Sequence, residues 1–267
     1  MKISCHLCGS LQYKTFANIG KNKVVICKNC GFYYVNPTPT FDVLHHHVKG
    51  SNVYTNDQLT KYVFFRQRAV ELFDNVQKYK APGHMLDVGC AIGAELEVAR
   101  ERGWNATGIE LSSESVKIGR EKHLNIIDKP LEECLLKSNS FELITLNHVL
   151  EHITEYDAFF NEIVRISKKD SLLYITIPNL YAWKFFIRRS RYSWNFHEDH
   201  FAFFSIKTLT LMLNKHGYEI LEIRTSRWLD FTDGMQNHGF LFKLVNSIIE
   251  SLNLGIEIIC IAKLNTK

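Results

Sequence analysis

Beyond residue 83 the chain alternates short apolar runs with longer segments in which apolar residues recur every three or four positions. The runs His84–Val88, Ala106–Glu110, Asn125–Asp128, Glu142–Leu146, Leu172–Ile177, Tyr218–Ile223 and Ile256–Ala262 read as strands, and the segments between them as amphipathic helices. That rhythm predicts an α/β domain built on a doubly wound, largely parallel seven-stranded sheet. The last run is expected to pair antiparallel beside Tyr218–Ile223, and the long connection before it is predicted to hold a helix near Phe240–Leu252. Upstream, Asp57 to about Lys80 reads as one helix: Leu59, Tyr62, Val63, Arg66 and Val70 share helical spacing, and Pro82-Gly83 stops it.

Composition narrows the class. With 46% apolar and 22% charged residues, five prolines and fourteen glycines, the chain is neither disordered, collagen-like nor a coiled coil. Its 267 residues suit one catalytic domain with a small appendage. No apolar run approaches the roughly 20 residues needed to span a bilayer, so no membrane association is expected. Met1-Lys2-Ile3-Ser4-Cys5 enters a cysteine motif directly, without an apolar leader core, and the expected location is cytoplasmic. The net charge of +4 is mild, although Lys2, Lys14, Lys21, Lys23, Lys28 and Lys49 against Asp42 make the first fifty residues basic. An anionic partner is permitted, not demanded.

Cys5-His6-Leu7-Cys8-Gly9 and Cys27-Lys28-Asn29-Cys30-Gly31 are two C-x2-C pairs, each followed by glycine. This spacing predicts a zinc ribbon in which Cys5, Cys8, Cys27 and Cys30 hold one structural Zn²⁺ and leave no position for water. The metal replaces the core that a forty-residue unit cannot build alone. The expected organisation is therefore a ribbon over residues 1–40, a linker and helical cap over 41–80, and the sheet domain over 81–267. Cys90, Cys134 and Cys260 lie singly in apolar surroundings and read as packing, while His45-His46-His47 reads as a solvated run.

The first strand ends in Leu86-Asp87-Val88-Gly89-Cys90-Ala91-Ile92-Gly93, where a doubly wound fold binds nucleotide-like ligands. A pyrophosphate would not suit Asp87, two residues before the first glycine, whereas a ligand with an ammonium group would. Glu110, at the end of the next strand, is placed to accept ribose hydroxyls. This loop, followed by Gly108-Ile109-Glu110-Leu111-Ser112 and by Phe141 through His152, resembles the motifs of class I S-adenosylmethionine-dependent methyltransferases, over about residues 57–227. Ala91 stands where that family usually has glycine, which a negative φ would accommodate. The resemblance implies that Asp87, Gly89 and Gly93 meet the methionine end and that Glu110 and Leu111 lie along the ribose. It further implies that Pro130 and Leu131 flank the adenine, that Asn147 lies beneath the sulfonium, and that Tyr62 and Arg66 close over the cofactor, the alternative for these two being ordinary helix packing and a surface charge.

On the acceptor side, Trp194 to Ser205 holds His197-Glu198-Asp199-His200. A methyl sulfonium is already electrophilic, so the enzyme must mainly align the attack and remove a proton from the acceptor. His200 with Asp199, His197 and His152 are the candidate bases, the alternative for His197 and His200 being to cap the following helix and for His152 to serve structurally beside Glu151. The block is similar to one in sugar methyltransferases, including zinc-containing sugar C-methyltransferases, although Trp183 replaces a histidine those enzymes carry. Lys184, Arg188, Arg189 and Arg191 suit a phosphate-bearing small molecule, such as a nucleotide-linked sugar of surface-polysaccharide or secondary-metabolite synthesis, and equally a solvated helix face. The alternative is an RNA methyltransferase that grips RNA with its ribbon. The low charge and the absence of an Asn/Asp-Pro-Pro-aromatic motif at Asn147 weigh against nucleic acid.

Overall fold

A computed structural model describes residues 4–19, 22–38, 52–183, 200–226 and 247–265. The N-terminal unit is a small antiparallel sheet of β1 (Tyr13–Ile19), β2 (Asn22–Cys27) and β3 (Tyr33–Val35). Two helices follow, α1 (Asn52–Thr60) and α2 (Tyr62–Val76). The single helix expected over Asp57–Lys80 is thus broken at Lys61, whose backbone (φ −102°, ψ 19°) leaves the helical region. Thr60 Oγ1 donates to the Asn56 carbonyl at 2.9 Å just before the break, a back-bond that bends helices.

The main sheet contains β4 (His84–Val88), β5 (Asn105–Ile109), β6 (Ile126–Ile127), β7 (Phe141–Asn147), β8 (Ser167–Pro178), β10 (Tyr218–Thr225) and β11 (Glu257–Leu264). Their order across the sheet is β10-β11-β8-β7-β4-β5-β6. The strands from β8 to β6 run parallel, and β11 lies antiparallel between β10 and β8. Seven strands and an antiparallel final strand agree with the sequence reading. β6 is shorter than expected and β8 longer, because apolarity marks the buried part of a strand and misses its polar ends, such as Lys168 to Asp170.

The helices α3 (Ala94–Glu101), α4 (Ser113–Glu121), α5 (Tyr156–Ile166) and α6 (Ile206–Lys215) connect the strands. In α5 the buried residues Tyr156, Phe159, Phe160, Ile163 and Ile166 recur at three- and four-residue spacing, which lays one face on the sheet. Residues 247–251 are helical, within the helix expected near Phe240–Leu252; the rest of that connection lies outside the described residues. Among the described residues no helix is long and apolar enough to cross a membrane.

One short strand, β9 (Ala202–Phe203), belongs to the sequence of the main domain but pairs with β3, matching Tyr33 to Phe203 and Tyr34 to Ala202. The N-terminal unit is thereby fused to the main sheet domain. Phe204, fully buried, packs on Phe32 from the ribbon (centroids 5.0 Å apart) and on Tyr156 from α5 (6.0 Å). Both units share one apolar core. Phe204→Ala is therefore expected to cost about 3–5 kcal/mol in urea unfolding, with ribbon and sheet melting in one transition. Separate transitions would contradict the shared core.

Candidate functional site

At the C-terminal ends of β4 and β5 the chain folds into a tight loop, and three carboxyl groups turn toward it. Asp87 is buried and accepts from Thr145 Oγ1 at 3.0 Å. Glu110 accepts backbone N–H bonds from Ala91 (2.9 Å), Leu111 (2.7 Å) and Ser112 (2.7 Å), tying the loop after β4 to the turn after β5. Glu95, in the first turn of α3, accepts from Asn147 Nδ2, and Thr176 Oγ1 in turn donates to Asn147 Oδ1 at 2.9 Å. The other oxygen of Glu95, Oε1, is buried without a hydrogen-bond partner.

Burial shapes the charge here. It pushes the Asp87 carboxyl up to about 7, with the charge of Glu110 adding to the effect and the Thr145 bond opposing it. Burial also raises Glu95, helped by Asp87, and raises Glu110 against the pull of its three amide bonds. Three crowded carboxyls and one orphaned oxygen define a cradle that a cationic ligand group would stabilise and an anion would not.

Backbone sterics set the loop. Gly89 and Gly93 sit at φ +77° and +83°, and a Cβ on Gly93 would lie 2.2 Å from Leu124 Cδ1. Ala91 corrects the expectation of a negative φ: it lies at +48°, in the left-handed region. Its N–H bond to Glu110 holds it there against a cost of about 1–2 kcal/mol.

The other expected cofactor residues divide. Pro130 and Leu131 follow β6, with Pro130 preceding a 3-10 turn (Leu131–Glu133) and Leu131 buried in the core. Tyr62 donates to Glu97, and Arg66 holds Glu101 through two bonds of 3.0 and 2.8 Å. Both side chains are thus engaged by α3, and the Tyr62 ring also packs on Lys122 Nζ (4.1 Å), which donates to the loop carbonyl of Ile92 at 3.4 Å.

A second cluster follows β7. A 3-10 turn (Leu150–His152) presents Glu151 and His152, and His200 reaches it from the segment before β9. The His152 and His200 rings lie 4.9 Å apart, edge to face at 79°, and the Phe201 N–H donates to the Glu151 carbonyl at 2.8 Å. Ser205 and Thr208, not a histidine, cap α6. His197, Asp199 and the cationic run of Lys184, Arg188, Arg189 and Arg191 lie outside the described residues.

The sequence reading missed His148 and its partners. His148 sits at φ +54° with its side chain 40% exposed, and bridges Glu151 Oε1 through Nδ1 (3.2 Å) and Glu257 Oε1 through Nε2 (2.7 Å). Arg68 completes the chain at 2.6 Å from Glu257 Oε2. Desolvation opposes the imidazolium, but the neighbouring carboxylates of Glu257 and Glu151 outweigh it and raise His148 above the ordinary histidine range. Glu257 lies 109 residues away on β11, so no local pattern announces the pair. The same holds for Glu95, whose helical position reads as an ordinary first-turn acid.

In the N-terminal unit the four thiols converge, with Cys5 and Cys30 sulfurs 3.6 Å apart, Cys8 and Cys27 sulfurs 3.5 Å apart, and all four within 4.8 Å. Tetrahedral zinc with bonds of about 2.3 Å sets sulfurs about 3.8 Å apart, so this donor set fits the ion. Cys260 is buried in the apolar core, Cys90 packs with Leu96 and Val116 beside the carboxyls of Asp87, Glu95 and Glu110, and the half-buried Cys134 donates to the Pro130 carbonyl at 3.1 Å.

The parallel sheet with an antiparallel β11, the acid-glycine loop after β4 and the acid after β5 define a class I S-adenosylmethionine-dependent methyltransferase domain. The chain belongs to the "Methyltransferase domain" family, whose sequence profile matches residues 64–223, more than half its length. A ubiquinone biosynthesis O-methyltransferase of Glaesserella parasuis is 27% identical over 36% of this chain and 45% of its own. An ajmaline N-methyltransferase of Rauvolfia serpentina is 30% identical over 36% of each chain. The match thus spans less than half of either relative. A 1,6-didemethyltoxoflavin-N1-methyltransferase structure from Burkholderia thailandensis, bound to its substrate and S-adenosylhomocysteine, shares the fold at a TM-score of 0.60 and 13% identity, covering 95% of this chain and all of that one.

The loop geometry makes a direct prediction. Ala91→Gly relieves the left-handed strain, offset by the greater freedom of unfolded glycine, and should leave stability unchanged or raised by up to about 1 kcal/mol. Gly89→Ala and Gly93→Ala should each lower it by at least about 1 kcal/mol, read as thermal midpoints. A large loss with Ala91→Gly would contradict the assigned backbone.

Proposed function

We propose that the protein transfers a methyl group from S-adenosylmethionine to an oxygen or nitrogen of a small molecule. The observation that carries this reading is the cradle of Asp87, Glu95 and Glu110 around Gly89 and Gly93. The ammonium of the methionine end pairs with Asp87, and the Glu110 turn receives the ribose beside Leu111. Pro130 and Leu131 flank the adenine, and Asn147 supports the sulfonium side. The cofactor, once bound, supplies an electrophilic methyl group. The protein's own task is to align the acceptor and take its proton, within the cluster of Glu151, His152 and His200. The relatives support a small acceptor, since one is named for ubiquinone biosynthesis, one for ajmaline and one is bound to 1,6-didemethyltoxoflavin. A phosphate-bearing acceptor, such as a nucleotide-linked sugar, suits the cationic run after Trp183.

The ribbon has a positioning role in this reading. Cys5, Cys8, Cys27 and Cys30 hold a structural Zn²⁺, which fixes β2 and β3, and β3 fixes β9 and so the segment bearing His200. That role accounts for the ribbon without a nucleic-acid partner. Removing the metal by chelation should lower stability by several kcal/mol and reduce turnover more than cofactor affinity. Equal loss of both would contradict a role confined to the acceptor side.

Cofactor binding should depend on pH with a defined sign. The Asp87 carboxyl is raised to about 7, above the roughly 3.9 of an unfolded chain, so the free protein takes up a proton on folding within that window and loses stability as pH rises through it. Pairing with an ammonium requires the ionised form. Affinity for S-adenosylhomocysteine should therefore rise up to about tenfold per pH unit below about 7 and level off above it, where both the carboxylate and the ligand's ammonium are ionised. Calorimetric titration across this range checks it; a flat profile, or none of the thermal stabilisation that a bound ligand confers, would overturn the assignment.

A further inference from the structure

Glu151, His152 and His200 do more than stand near one another. Their potential ligand atoms all lie within 4.8 Å, with Glu151 buried and both histidines half-buried. Glu151 is 1% exposed, and while its Oε1 faces His148 Nδ1, its Oε2 is buried without a hydrogen-bond partner. An unpartnered, enclosed carboxylate oxygen is costly unless something positive completes it.

We propose that these three residues bind a divalent first-row transition ion, which in turn holds the nucleophilic oxygen or nitrogen of the acceptor. Two imidazoles and one carboxylate are the donors of open metal sites, which keep coordination positions for water or substrate. The scaffold is rigid for the purpose. The 3-10 turn is closed by the N–H of His152 on the Val149 carbonyl at 3.0 Å, and His200 is anchored by the bond from Phe201 to Glu151. Behind the carboxylate, the chain His148–Glu257–Arg68 orients it as outer partners orient metal ligands.

The location serves the reaction. A Cβ on Gly89 would lie 3.0 Å from Val149 Cγ2, so the turn that carries Glu151 and His152 touches the cofactor loop. An acceptor X–H bound to the ion loses its proton to water more readily, and the lone pair on X attacks the methyl carbon. The X–C bond forms as the C–S bond breaks, its electron pair staying on sulfur to give neutral S-adenosylhomocysteine. This acceptor role rests on the methyltransferase reading; the binding of the ion does not. It also changes the part assigned to His152 and His200, from bases to ligands.

The test uses the full chain loaded with one equivalent of zinc, which the four thiolates take up first, and titrated with Mn²⁺, which favours nitrogen and oxygen donors over thiolates. Loss of the free-ion electron paramagnetic resonance signal should show one Mn²⁺ per chain, displaced by Co²⁺. Glu151→Gln and His200→Ala should each weaken it at least tenfold, with His152→Asn as a second histidine variant. Thermal stabilisation by S-adenosylhomocysteine, kept in all variants, shows that they fold. Equal Mn²⁺ binding by wild type and the folded variants, or no Mn²⁺ and no Co²⁺ bound by wild type, would overturn the site. Normal ion binding without any response to S-adenosylhomocysteine would leave the ion site standing and remove its role toward the acceptor.

Discussion

Glu110 accepts three backbone N–H bonds, and the cofactor loop takes its form from them. Two of those amides belong to the turn after β5 and one to the loop after β4, so a single carboxylate fixes the relation between adjacent parallel strands at their ligand-binding ends. Charge-assisted bonds of this kind are about twice as strong as neutral ones. They offset the burial of the carboxylate and hold Ala91 in a conformation that its Cβ opposes. Without them the loop would have no reason to keep an alanine between its two left-handed glycines.

The seven strands were legible because a parallel sheet covered on both sides leaves long apolar runs, as in β7 and β8. Asp87, Gly89, Gly93 and Glu110 were legible because a loop that must bend sharply beside a carboxylate allows few residue types, and the convergence of the four thiols because two C-x2-C pairs, each followed by glycine, repeat one tight turn. What escaped was non-local or cancelled locally. Glu95 becomes distinctive only when α3 packs against the end of β7, and His148 only when β11 brings Glu257 beside it. The break at Lys61 and the positive φ of Ala91 are backbone events, which apolar periodicity does not encode.

β9 shows why the ribbon could not be read as a separate appendage. Two residues, Ala202 and Phe203, extend the ribbon sheet although they lie about 170 residues from β3 in sequence. A two-residue strand has no detectable alternation, so its pairing follows from burial: Phe201, Phe203 and Phe204 are all inside. The ribbon offers Phe32, Tyr33 and Tyr34 to cover them, and neither set would be soluble alone. The N-terminal unit thus acts as one wall of the segment that carries His200.

The turn from Asn147 to His152 joins these parts. Asn147 reaches back to Glu95 in the cofactor cradle, Val149 lies against the glycine loop, and Glu151 and His152 face His200. A regular strand would send successive side chains to opposite faces and separate these contacts. The left-handed backbone at His148 ends the alternation, at a cost of about 1–2 kcal/mol for a residue other than glycine. Bonds from its ring to Glu151 and Glu257 compensate, which explains why histidine rather than glycine is suited to that position. A glycine would relax the turn, but it would leave Glu257 facing Arg68 alone and free the carboxylate of Glu151. The strained residue is therefore the point at which the glycine loop and the Glu151, His152 and His200 cluster are set relative to each other.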